Sequence, residues 1–240
     1  VLMMLIVVVV VSSALLIGAA WGIWGNMSER LEGFLIAVAG GALVLSLVSE
    51  LVEPAIAQSS LHVATGGVAA GAVVFALVDY LIDEKWGPDS GGGLLAAITL
   101  DGIPENLALG VALIGTGPAG VAALAGSIFL SNLPEAAGGA KEMASSDSGS
   151  RDARSKWRIM AIWGATAAIL SLAAIAGNLL LAGVGEGWLA FIRCFAAGAV
   201  VASLSTEVFP TAFRKDHHLA GIATALGLVL AFILGQIGGG

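Results

Sequence analysis

Eight runs of apolar residues, each close to the length that crosses a bilayer, leave this chain few folds to choose from. They cover residues 2–24, 33–57, 61–82, 94–115, 118–143, 157–181, 188–213 and 217–237. A spanning helix needs about 20 such residues. Hydrocarbon offers a backbone amide no partner outside its own segment, so only helices or a closed barrel can cross it. The pattern speaks against a barrel, because the apolar residues come in long runs rather than in alternation. Composition points the same way: 58% of the residues are hydrophobic and 11% charged, with a mean hydropathy of +0.98. A soluble domain carries about 25% charged residues. The expected architecture is an all-α polytopic membrane protein, a single domain over residues 1–240 with eight transmembrane helices. Val1 is not an initiator methionine, so trimming of the first residues is expected, and the opening run, lacking a basic n-region, is read as a span.

The positive charges orient these spans. Arg30 falls in the first connection, Lys85 in the third, and Arg214 and Lys215 in the seventh. Lys141, Arg151, Arg154, Lys156 and Arg158 lie in or beside the fifth, leaving Arg193 as the exception, just inside the seventh span. Odd-numbered connections share one side, and the positive-inside rule makes that side cytoplasmic. Both termini are then extracytoplasmic. Residues 144–156, ASSDSGSRDARSK, read as a flexible cytoplasmic connection. The lone Cys194 excludes an internal disulfide framework or a cysteine metal cluster, and the net charge of −7 gives no support for a nucleic-acid partner.

An internal repeat is legible. The stretch from Gly41 to Glu50, GALVLSLVSE, matches that from Gly198 to Glu207, GAVVASLSTE, and each reaches a proline soon after, Pro54 and Pro210. The two lie on the second and seventh spans, which run in opposite directions across the membrane. Inverted repeats of this kind characterise transporters, whose substrate sites sit near the midplane between broken helices.

The chemistry gathers on the fourth and fifth spans. Leu100-Asp101-Gly102-Ile103-Pro104-Glu105-Asn106 places two carboxylates four residues apart, on one face of a helix. Pro104 removes a backbone donor between them. Thirty positions on, Ser131-Asn132-Leu133-Pro134-Glu135 repeats the proline–glutamate step. A carboxylate at membrane depth is costly and marks a functional site by default.

Eight spans, outward termini and these two motifs resemble the ZIP (Zrt-, Irt-like) metal transporters, whose fourth span typically reads His-Asn-x-Pro-Glu-Gly. The resemblance covers the chain as topology but only about a dozen positions as motif. It implies that Glu105 and Glu135 bridge a divalent metal ion. It places Asp101, Ser131 and Asn132 on ligand positions with the residue type changed, and Gly102 on one that has lost its side chain. It makes Glu50 and Glu207 the entrance and exit residues of the path. The donors are all oxygen, which suits manganese, iron(II) or magnesium better than zinc, an ion that prefers nitrogen and sulfur. His62, His217 and His218 fall near span ends, away from the site. Glu53 reads as a solvated residue at a span end.

The expected function is movement of a divalent cation (zinc, manganese or iron) across a cell membrane, into the cytoplasm, with the ion as substrate and no enzyme activity. The partners are metal ions and the lipid bilayer, and a homodimer is compatible with this class. A metal-binding sensor without transport is the alternative. An intramembrane enzyme is a further one, weakened by the lack of a histidine at membrane depth and of a fitting catalytic motif.

Overall fold

The computed structural model describes residues 2–86, 91–114, 118–146 and 153–238, and among these every element is helical. Eight rods follow in order: α1 (Leu2–Trp24), α2 (Glu29–Gln58), α3 (Leu61–Trp86), α4 (Gly91–Ala112), α5 (Ala122–Ser146), α6 (Ala153–Leu181), α7 (Glu186–Lys215) and α8 (Ala220–Gly238). Stretches long and apolar enough to cross a membrane lie in α1, α2, α3, α6 and α7, and α8 adds a shorter apolar helix, Ala220–Gln236. The chain is an integral membrane protein by this measure. The other two rods, α4 and α5, are those that carry the proline–glutamate motifs.

Local chemistry explains where the rods begin. α2 starts before its apolar run because Ser28 caps it, its Oγ accepting from Leu31 N at 3.3 Å, with Glu29 and Glu32 in the first turn facing the positive end of the helix dipole. α7 opens on Glu186 and closes on Arg214 and Lys215, the matching polarity. Of residues 144–156, Ala144 to Ser146 close α5 and residues 153–156 open α6, while 147–152 lie outside the described residues. Between α4 and α5 the chain makes a 3-10 turn over Pro118–Val121, immediately before α5.

Two rods are broken in the same way. α2 holds one π-helical turn at Val48–Val52 and α7 another at Leu204–Val208, each followed by a proline in the first turn of the next α-helical stretch. Proline cannot donate to the carbonyl four residues back and its ring presses on it; widening the preceding turn relieves both problems.

The rods pack as two groups of four. α1 lies against α5 and α6, and α4 against α6; α2 lies against α8 and α7, and α3 against α7; α2 also packs on α5 and α4 on α7, which joins the two groups. The contacts of α2 with α8 recur between α7 and α3. Gly41 sits on the carbonyl of Thr224 and Gly227 on that of Val38; correspondingly, Gly198 sits on the carbonyl of Val68 and Gly71 on that of Phe195. At these four positions a Cβ would collide with backbone, so only glycine lets the helices approach this closely. α2 and α7 themselves run antiparallel: Gly33 faces Ala212 and Lys215, whereas Gly40, further along α2, faces Val208 and Phe209, earlier on α7.

Charge is sorted between the two ends of the bundle. Lys215 pairs with Glu32 at 2.7 Å, Lys141 Nζ donates to Met27 O at 3.3 Å, and Trp24 meets Trp157 edge-on with centroids 5.8 Å apart. These contacts gather Arg30, Lys141, Lys156, Arg158, Arg214 and Lys215 around the start of α2 and the ends of α1, α5 and α7. Arg193 lies towards the opposite end, bonded to the last residue of α2.

Candidate cation-binding site

The motif helices keep their α form through the prolines, with Pro104 inside α4 and Pro134 inside α5. Glu105, Asn106, Ser131 and Asn132 are buried, which for polar groups at this depth demands partners. Asn106 Nδ2 donates to Gly102 O at 2.9 Å, one turn back on α4. Ser131 Oγ donates to Glu135 Oε1 at 2.7 Å, one turn along α5. Asn132 Nδ2 finds no acceptor among the described residues. The backbone of Asp101 lies in α4, and its side chain is outside the described residues.

Glu135 opens onto a cavity of about 430 Å³ between α2, α5 and α7. Five carboxylates line it, Glu29 and Glu32 from α2, Glu135 and Glu142 from α5, and Glu207 from α7, against two cations, Arg214 and Lys215. Glu29, Glu142 and Arg214 are exposed, so the cavity meets solvent at the end of the bundle where the basic residues gather. Glu32 is buried at the wall, paired with Lys215 and seated on Gly138 of α5, where any side chain would strike its carboxylate. Such a chamber can admit a hydrated cation, and its excess of carboxylates offsets part of the cost of dehydrating one.

The expected residues separate into three places. Glu135 and Ser131 stand together, and Glu135 shares the cavity with Glu207. Glu105 is buried on α4 and is not among the residues lining that cavity. Glu50 is elsewhere: its Oε1 accepts from Leu124 N at 2.9 Å in the first turn of α5, and its Oε2 has no partner among the described residues. No group of three or more His, Cys, Asp or Glu side chains suited to a metal ion occurs among the described residues. His62, His217 and His218 are exposed, with the ring centroids of His217 and His218 3.9 Å apart and their planes tilted by 42°.

Glu29, Glu32, Glu142 and the Arg214–Lys215 pair escaped the sequence reading. Their only signal was position: acids in the first turn of α2, an acid near the end of α5 and bases in the last turn of α7, where charged residues are ordinary. The bonds of Arg193 and the Ser46–Ser127 contact at 3.0 Å between α2 and α5 also depend on which helices become neighbours. Among known proteins, the chain matches no family model and no curated protein.

Proposed function

We propose that this protein carries a divalent cation across a membrane through a path that includes Glu135. The observation that carries this reading is the acidic cavity, which runs from solvent to the half-buried glutamate of the α5 motif. In the proposal, all eight helices span and both termini lie outside. The positive-inside rule then puts the basic end, and with it the mouth of the cavity, on the cytoplasmic side of a plasma or inner membrane. The ion binds between α4 and α5 with Asp101, Glu105, Ser131, Asn132 and Glu135 as its oxygen donors, and leaves past Glu207. The repeated glycine contacts and the paired π-helical turns on antiparallel α2 and α7 support an inverted repeat. The two helix groups supply bodies that can move against each other. The resemblance to ZIP transporters supports the substrate class, and the all-oxygen donor set supports manganese or iron(II) over zinc.

Flux of manganese, iron(II) and zinc into proteoliposomes tests the reading. Metal-dependent uptake that disappears in both Glu105→Gln and Glu135→Gln is the expected result. If the two bridge one ion, the double variant loses little more than either single one. Metal binding without flux would replace transport by a sensor role. Zinc preferred by about a thousandfold, roughly 4 kcal/mol, would contradict an all-oxygen site.

A further inference from the structure

At the end of the bundle away from the acidic cavity, a charge is buried with no counter-ion among the described residues. Arg193, on the second turn of α7, is 4% exposed. Its Nη1 donates to Gln58 Oε1 at 3.1 Å and its Nη2 to Ile114 O at 3.3 Å, both neutral acceptors, while its Nε has no partner among the described residues. Two neutral acceptors offset only part of the cost of desolvating a guanidinium, so its burial here calls for a reason beyond packing. Gln58 is the last residue of α2, and Ile114 follows the end of α4. The guanidinium therefore ties the group that contains α2 and α7 to the group that contains α4.

The position has a counterpart at the other end. Gln58 lies as far past Glu50 as Lys215 lies past Glu207. Each of these helix-end residues is bound by a buried charged residue near the start of the other helix, Gln58 by Arg193 and Lys215 by Glu32. The antiparallel α2–α7 pair thus carries one polar cross-tie at each end. The Glu32–Lys215 tie borders the cavity that opens to solvent. Beneath the Arg193 tie, the small residues Ala55, Ala64, Ala190 and Cys194 fill the space between α2, α3 and α7.

We infer that Arg193 is the latch that closes the end of the bundle opposite the cavity, and that its bonds to Gln58 and Ile114 break when that end opens. This rests on the transport reading for its purpose but not for its test. Arg193 acts on the two helix groups and touches no ion, so it is a positioning residue. A guanidinium suits the task because its fixed fork reaches two acceptors on different helices at once.

The test is thiol accessibility in the full chain reconstituted in vesicles, with no metal present. Cys194→Ser removes the only cysteine, and Ser127→Cys then reports on the buried α2–α5 contact while Thr211→Cys reports on the cavity. Adding Arg193→Ala should raise labelling of the residue-127 reporter, by an impermeant reagent applied from the Arg193 side, by about tenfold. Labelling at position 211 from the other side should fall, because one end closes as the other opens. Arg193→Lys, with the charge kept but the fork lost, should give an intermediate shift. Unchanged labelling at position 127 overturns the latch, as does a rise at 127 with no fall at 211, which is a local packing defect. If Arg193→Ala fails to fold, Gln58→Ala removes one acceptor and should shift both reporters in the same directions by about threefold; no shift there overturns the latch as well. Loss of metal transport with this reciprocal labelling intact would refute the substrate reading and leave the latch standing.

Discussion

The π-helical turns of α2 and α7 have matching sequences and different surroundings. In α7, Glu207 faces the acidic cavity together with Glu135. In α2, Glu50 turns to the first turn of α5, where its carboxylate accepts from Leu124 N. A carboxylate beside a helix start satisfies an amide that has no partner within the helix and meets the positive end of the dipole. One copy of the repeat thus borders an acidic cavity and the other holds a helix in place. A repeat sets backbone form twice over, but what each glutamate does depends on which helix stands in front of it. In a mechanism that alternates between two ends, this asymmetry matches a protein held open at one end: the α7 copy borders an open cavity, and the α2 copy is engaged in a closed contact.

The glycine contacts give the largest expected effect, because they hold both copies in the same frame. Leucine in place of Gly41 or Gly198 would meet the carbonyl of Thr224 or Val68. Either change should cost at least about 3 kcal/mol, beyond ordinary overpacking because backbone cannot yield. Monodisperse protein on size-exclusion chromatography after Gly198→Leu would break the proposed equivalence of the two seams.

Glu207→Gln comes next. Removing one negative charge from the cavity should lower cation flux by about a hundredfold, roughly 2.7 kcal/mol in rate, with thermal stability in detergent close to that of the unaltered protein. A large stability loss with flux retained would reverse the roles assigned to the two glutamates.

Glu50→Ala should show the opposite profile in stability. Loss of the bond to Leu124 N leaves a helix-start amide without its acceptor, at about 1–2 kcal/mol, seen as a lower Tm in detergent. Glu50→Gln retains an acceptor oxygen and should recover most of that loss. If the Gln variant is as unstable as the Ala variant, the carboxylate acts through its charge rather than through the bond.

The smallest effect belongs to the Ser46–Ser127 contact, one turn from the Glu50–Leu124 bond on both helices. Ser46→Ala should cost about 0.6 kcal/mol, the usual size of a side-chain hydrogen bond between membrane helices. A cost several times larger would show that this polar contact, and not the Glu50 cap, is the main tie between α2 and α5.

Much of the fold was legible because its strongest constraint is local. A backbone crossing hydrocarbon must satisfy itself within each segment, so runs of apolar residues mark helices whatever their neighbours. The match of Gly41–Glu50 to Gly198–Glu207 was legible for the same reason, since a π-helical turn before a proline depends on a few consecutive residues. Glu105 and Glu135 stood out because a carboxylate inside an apolar run is conspicuous without any partner. The tertiary structure alone decided which groups meet. Glu32 drew no notice in the sequence and gained its place only where Lys215 and Gly138 came beside it, and Arg193 stood as a stray charge until the ends of α2 and α4 closed around it. Glu50 and Glu207 looked alike until one met the start of α5 and the other a cavity. In lipid no hydrophobic drive selects helix partners, so small residues and polar bonds between distant segments do. Those pairings are set by shape complementarity across the whole bundle, which no single stretch of the chain contains.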